Sequence, residues 1–333
     1  PRGPPMTSRS GTRLPRGPRP KYHGFVKNKL TRELAVCGLA AVRALLDRHP
    51  DRVRRFFLAE ALLPEFRPAL RRFAERKTLY RMVSPEELER LAGTVHHQGA
   101  VAMIEAPEVP DLDAATVSGW AARGERILVL DKLGNDHNLG AIVRSAAFFG
   151  IRNLVLAGPS AAALVTTSAF RVAEGGMEWV SLYRISDAGE LARLAGPSLA
   201  ILGADHRGSR TARETLSALP TGRAVALVLG NEETGLSPAS RAACSALVRI
   251  PGTGDLESLN VAQSAAVLLY ELAAGAPAGQ AGTGPGRPSG PSAPKPEGPT
   301  ARRPARPPAS PRPGRPSAPP SRPTGGRRQD PPE

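Results

Sequence analysis

From Pro251 to Glu271 the chain reads PGTGDLESLNVAQSAAVLLYE, and few folds can accommodate that run. Gly252 and Gly254 permit a tight turn or a close backbone approach. Ser258 and Asn260 flank Leu259, and beyond Asn260 the sequence is apolar almost all round, from Val261 through Leu272. A helix without a polar stripe is buried. Asn260 fits its N-cap, Gln263 stands at the capping-box position, and Gly275 can end it. A glycine-rich loop thus delivers two polar side chains to the head of a buried helix. Taken alone, Asn260 serves equally as a plain cap.

Upstream, short apolar runs alternate with helical patterns. Strands are expected at Ile127–Leu130, Leu154–Leu156, Trp179–Ile185, Leu199–Leu202, Ala224–Leu229 and Leu247–Ile250. Such alternation predicts an α/β fold with a parallel sheet covered on both faces. A first α/β unit precedes it. There a helix is expected from Leu34 to Leu46, strands at Arg54–Leu58, Thr78–Val83 and Ala100–Ile104, and a helix through Phe66, Leu70 and Phe73. Arg67, Arg71, Arg72, Arg76 and Lys77 surround that helix, as a solvated face or as an RNA contact. Ser84-Pro85-Glu86-Glu87 reads as an N-cap, a first-turn proline and a capping box. The resulting organisation is a basic arm at 1–30, a small α/β domain at 31–106, a linker at 107–124, a second α/β domain at 125–275 and a Pro/Arg-rich tail at 276–333. Low apolar content predicts disorder for both arms.

The net charge is +15, and its placement matters. Residues 1–30 hold eight Lys and Arg and no acid, and 276–333 hold ten against three acids. The 27 basic and 27 acidic residues of 31–275 cancel. Basic arms on a neutral body suit a polyanionic partner. Cys37 and Cys244 form no CxxC, which points to a reducing, cytoplasmic compartment and away from structural zinc. His96 and His97 are too close together to clamp one metal, so no metal is expected. No apolar run reaches membrane-spanning length. GxGxxG after a strand, GxxxxGK[ST] and GxSxG are all absent, which excludes the usual dinucleotide, P-loop and hydrolase signatures.

Two further stretches carry chemistry. DKLGNDHNLGAIVR at 131–144 is a strand-to-helix turn in which Asn138 is expected to cap the helix. Arg144 lies just under two turns on, with small Gly140 and Ala141 leaving room above it for a ligand. LGNEETGLS at 229–237 follows another strand and holds Glu232 between glycines. Open α/β sheets bind ligands past the carboxyl ends of their strands.

NLGAIVRSAAFFG at 138–150, LVLGNEETGLS at 227–237 and IPGTGDLESLNVAQSAAVLLYE at 250–271 resemble the three ordered motifs of the SpoU/TrmH family. These are RNA ribose 2′-O-methyltransferases of the SPOUT superfamily. Residues 31–106 are similar, more loosely, to the family's ribosomal-protein-like substrate-binding module, and AFRVAEGGMEW at 169–179 also looks family-like. The resemblance implies a C-terminal trefoil knot, a homodimer with the site at the subunit boundary, and S-adenosylmethionine as methyl donor. It maps cofactor-binding backbone to Gly230, Ile250 and Leu259, and the polar catalytic set to Asn138, Arg144, Glu232, Ser258 and Asn260. Ribosomal or transfer RNA is the implied substrate. The chain departs from the family at Glu233, where glycine is usual, and at Asp136-His137, where a proline is usual. Two alternatives are a catalytically silent RNA-binding protein on the same scaffold and a methyltransferase acting on a base or a protein. The first would require loss of Asn138, Arg144 or Glu232, and all three are present.

Overall fold

A computed structural model describes residues 33–159 and 161–274. The arms at 1–30 and 276–333, and the expected terminator Gly275, lie outside the described residues. The first unit runs β1 (Glu33–Cys37), α1 (Leu39–Arg48), β2 (Val53–Leu58), α2 (Leu63–Glu75), β3 (Leu79–Met82), α3 (Pro85–Ala92) and β4 (Ala100–Glu105). Its four-stranded sheet has the order β1-β4-β2-β3, with β4 antiparallel to both neighbours and β2 parallel to β3. Phe56 anchors the core, packing edge-on against Phe66 and tilted against Phe73 with ring centroids 5.4 and 5.7 Å away.

Two local readings change here. Leu34 and Val36 belong to β1 rather than to a helix that begins at Leu34. Their partners on β4, Ile104 and Ala102, come some 70 residues later, and cross-strand pairing overrides a helical spacing in sequence. At α3 the Ser84 hydroxyl accepts from the Glu87 N–H as expected. The Glu87 carboxylate turns toward Arg81, 3.8 Å away, so only that half of the box is seen.

The second unit runs α4 (Ala114–Arg123), β5 (Arg126–Asp131), α5 (Asp136–Phe148), β6 (Asn153–Ala157), α6 (Thr167–Val172), β7 (Ser181–Ile185), α7 (Ala188–Ala195), β8 (Leu199–Ala204), β9 (Arg210–Thr211), α8 (Ala212–Ser217), β10 (Ala224–Leu229), α9 (Pro238–Ala243), β11 (Ala246–Arg249) and α10 (Val261–Ala274). The stretch at 107–124, read as a linker, therefore contains a helix. Asp113 caps α4 by accepting from the Thr116 N–H, and Val117 and Trp120 are buried.

The seven strands form an all-parallel sheet in the order β7-β6-β5-β10-β8-β11-β9. All six residues of β10 are buried, as a central parallel strand requires. On β5, Leu128 and Leu130 join the core that holds α5 and α10, while Ile127 and Val129 join the opposite core with Val117, Trp120 and Leu191. Because β10 pairs with β5, their carboxyl ends lie side by side. The loops at 131–135 and 230–237 are thereby neighbours despite their distance in sequence.

The two units share one apolar core, and a polar seam joins them as well. Arg52 Nη1 lies 2.8 Å from Oε2 of Glu178, whose side chain is fully buried, and Arg48 Nε donates to the Glu178 carbonyl at 3.0 Å. The Arg48 guanidinium stacks 3.7 Å from the Trp179 ring centroid.

Candidate active site

The site is built where β5, β10 and β11 end. Asn135 caps α5, accepting from the His137 N–H at 2.7 Å. Asn138 is therefore not the cap but a first-turn residue, and its side chain is free for another use. Asn138 Nδ2 donates to Glu232 Oε1 at 2.7 Å. The second Glu232 oxygen accepts from the Gly134 N–H and from Asn231 Nδ2, both at 3.2 Å. One carboxylate thus ties the loop after β5, the start of α5 and the loop after β10.

Asn260 adds the third segment. Its Oδ1 accepts from the Ala262 N–H at 2.8 Å, which makes it the cap of α10 as expected. Its Nδ2 donates to Asn138 Oδ1 over a long 3.4 Å. The same residue caps and joins the cluster, so the two readings of Asn260 are compatible. Ser258 lies two residues earlier on an exposed loop and makes no side-chain hydrogen bond with the described residues.

Arg144 stands apart from this cluster. It is exposed on α5, and its Nη1 lies 2.8 Å from Glu174 Oε1. The space above it is not open for a ligand in the way the small residues implied. A Cβ on Gly140 would stand 2.6 Å from the Ala169 carbonyl and 2.7 Å from Val172 Cβ, so Gly140 lets α6 pack closely on α5.

Gly230 is likewise used by the chain itself. A Cβ there would lie 2.3 to 2.5 Å from the backbone of Gly235 and Leu236. The loop folds back on its own entry, closed by a reciprocal pair of hydrogen bonds between Asn231 and Gly235. Asn231 organises this turn: its Oδ1 accepts from the N–H groups of Glu233 and Thr234, and its Nδ2 donates to the Lys132 carbonyl at 2.9 Å. Nothing in the sequence singled out Asn231 except its place between Gly230 and Glu232. Asp131 also escaped notice. It is buried at the end of β5 and accepts from the Ser237 N–H at 2.7 Å, which fixes the start of α9.

For a cofactor, the three backbone positions named above stand at element ends: Gly230 just past β10, Ile250 just past β11 and Leu259 two residues before α10. Ile250 packs on the core while Leu259 is half exposed. Peptide N–H and C=O groups at these three element ends, with the exposed Leu259 side chain beside them, are of the kind that suits a nucleoside with an aliphatic arm. The cysteines are not nucleophile candidates, since burial pushes both the Cys37 and Cys244 thiols up to about 11.

Residues 125–270 match the SpoU rRNA Methylase family, and residues 35–110 match the family described as RNA 2'-O ribose methyltransferase substrate binding. The 23S rRNA (guanosine-2'-O-)-methyltransferase RlmB of Acinetobacter baylyi is 33% identical over 243 residues, 70% of this chain and 94% of the relative. The Uncharacterized tRNA/rRNA methyltransferase YfiF of Escherichia coli O157:H7 is 31% identical over 252 residues, 74% of this chain and 69% of the relative. Among solved structures, the SpoU methyltransferase AviRb from Streptomyces viridochromogenes in complex with AdoMet is similar. Its TM-score is 0.58 at 25% identity, covering 73% of this chain and 90% of that one.

Proposed function

Because the chain belongs to the SpoU rRNA Methylase family, its activity is S-adenosylmethionine-dependent methylation of an RNA ribose 2′-hydroxyl, and we propose that Asn138, Arg144, Glu232, Ser258 and Asn260 carry it. The observation that supports this assignment best is the link from Glu232 through Asn138 to Asn260, which joins three motifs at adjacent strand ends.

When bound, S-adenosylmethionine supplies an electrophilic methyl group, and the backbone at Gly230, Ile250 and Leu259 would hold it. The attacking hydroxyl is a poor nucleophile and loses its proton as it attacks. Arg144 is no base, because a guanidinium keeps its proton. Its role is to grip the phosphate beside the target ribose and to stabilise the developing alkoxide. The proton passes to a phosphate oxygen or to water. Glu232 and Asn138 hold the loops in register, and Asn260 and Ser258 shape the entrance from the α10 side.

The finer reading has three parts. The knot is supported by β10 lying between β5 and β8 and by α10 packing back on α5. The homodimer is supported by an exposed apolar face, whose α10 part the sequence placed inside. Phe148 is 81% exposed one turn beyond Arg144, and Tyr270 and Val267 are exposed on α10, so this helix is not buried all round. A second copy covering that face would lie beside Arg144, which stands one turn before Phe148 on α5. Ribosomal RNA is the substrate supported by the RlmB relatives. Among the described residues no helix is long and apolar enough to cross a membrane, and the two free cysteines suit the cytoplasm. The test is to map 2′-O-methyl positions in RNA from cells with and without the gene. Loss of one ribosomal-RNA mark supports the reading, and an unchanged map with a base or protein methyl lost instead would overturn it.

A further inference from the structure

Arg144 has one ion-pair partner among the described residues, and it is a residue that the activity does not yet explain. Glu174 Oε1 sits 2.8 Å from Arg144 Nη1, with the two side chains 50% and 57% exposed. An ion pair this open adds little to stability. Yet the backbone under Glu174 is unusual. Its φ is 45°, in the left-handed region that residues with a Cβ rarely adopt. Glu174 directly follows Ala173, the C-cap of α6, and a left-handed residue there ends the helix and sets the direction in which the Glu174 side chain leaves it.

The next two residues show how that direction is held. A Cβ on Gly175 would stand 2.6 Å from Ala44 Cβ and 3.1 Å from the Ala40 carbonyl, both on α1. A Cβ on Gly176 would stand 3.1 Å from the Val143 carbonyl and 3.2 Å from Arg144 Cα, on the backbone of α5 itself. The turn is wedged between the substrate-binding unit and the stretch of helix that carries Arg144. Two residues on, Glu178 is pinned to Arg52. The chain therefore fixes the Glu174 backbone from both sides and aims its carboxylate at one guanidinium nitrogen. A guanidinium has five N–H donors, so an anchor at Nη1 leaves an edge open for a phosphate fork.

We propose that Glu174 is a positioning residue for Arg144: it holds the guanidinium by Nη1 so that the opposite edge faces the RNA. This rests on the reading of Arg144 given above. It also gives α1 of the substrate-binding unit a direct part in setting the arginine, through Gly175.

The test uses the full chain with ribosomal RNA from cells lacking the gene. Four variants are compared in single-turnover and steady-state methylation: Glu174→Gln, Glu174→Ala, Arg144→Ala and the double Glu174→Ala/Arg144→Ala. Glu174→Ala is expected to lower kcat on the order of tenfold, short of the roughly hundredfold that a 1 Å misplacement costs. KM for RNA should not rise, because a negative charge has been removed. Glu174→Gln should fall between wild type and Glu174→Ala, since its amide oxygen still accepts. S-adenosylmethionine affinity and Tm should stay unchanged, and the double variant should match Arg144→Ala alone. The inference is overturned if Glu174→Ala turns over like wild type, if it raises KM alone, or if it costs the same factor when Arg144 is already absent. A fully active Arg144→Ala would instead sink the reading of Arg144 itself.

Discussion

Asn138 and Glu232 are 94 residues apart in sequence and 2.7 Å apart in the fold, amide donor to carboxylate acceptor. Parallel pairing of β5 with β10 makes this possible, since it lays their two loops together. Gly134, Asn231 and Asn260 are tied to that contact by hydrogen bonds, while Arg144 and Ser258 stand outside it.

Glu232→Gln should therefore lower activity without unfolding the protein. A carboxamide can accept from Asn138, but its NH2 then meets the donors of Gly134 and Asn231. Hydrogen bonds to a charged acceptor contribute about 1.5–3 kcal/mol. A loss of roughly 2 kcal/mol in kcat/KM is expected by that measure, read by methyl incorporation, with Tm shifted little. Turnover equal to wild type would remove Glu232 from the site.

Arg144→Ala should abolish useful methyl transfer while S-adenosylmethionine still binds. Removing one charge-stabilising contact of this type costs about 3 kcal/mol, or a hundredfold in rate. Arg144→Lys should recover little, because a point charge does not reproduce a planar fork. Rate assays with parallel calorimetric titration of the cofactor check both statements.

The seam between the units makes stability pH-dependent. Burial pushes the Glu178 carboxyl above its usual 4.5, against the pull of Arg52, His49 and Arg48. The folded pKa is thus higher than the unfolded one, and the folded state binds this proton more tightly. The contribution of Glu178 is fully present below about 4.5 and is lost as pH rises through the raised folded value. Comparing wild type with Glu178→Gln by denaturant titration across that window should show this part of the slope disappear in the variant. Parallel curves for the two proteins would contradict it.

The sheet was legible because its strands are continuous apolar runs, and β10, AVALVL, could hardly be anything else. Caps were less so. Asn135 and Asn138 both suit an N-cap, and only the fold shows that Asn135 caps while Asn138 reaches Glu232. Gly140 was read as making room for a ligand, but its missing Cβ makes room for α6, and the missing Cβ of Gly230 makes room for the returning loop. Glu174 lies in the family-like stretch 169–179, but nothing there gave it a role, since its meaning depends on α1 and α5 meeting the same turn. The exposed face of α10 was hidden by the usual rule that apolar helices are buried, which a monomer's sequence cannot qualify.

The basic helix α2 offers a separable test of RNA docking. Phe66, Ala69, Leu70 and Phe73 bury one face, and Arg67, Arg71, Arg72 and Arg76 stand exposed on or just beyond it. Arg67, Arg71 and Arg76 have no carboxylate partner among the described residues. Each phosphate contact on a single strand steepens log affinity against log salt by roughly 0.7, so replacing these three with Gln should flatten the slope by about 2. Discrimination between RNAs should survive, because phosphate contacts position rather than specify. Unchanged slopes in filter binding would make this face a solvated one.

The central claim is tested most directly by supplying labelled S-adenosylmethionine and unmodified ribosomal RNA to the purified protein, then digesting the RNA and identifying the labelled nucleoside. The account predicts label on a single ribose 2′-oxygen with wild type, and about a hundredfold less with Arg144→Ala. Label on a base, or equal labelling by the two proteins, would contradict it.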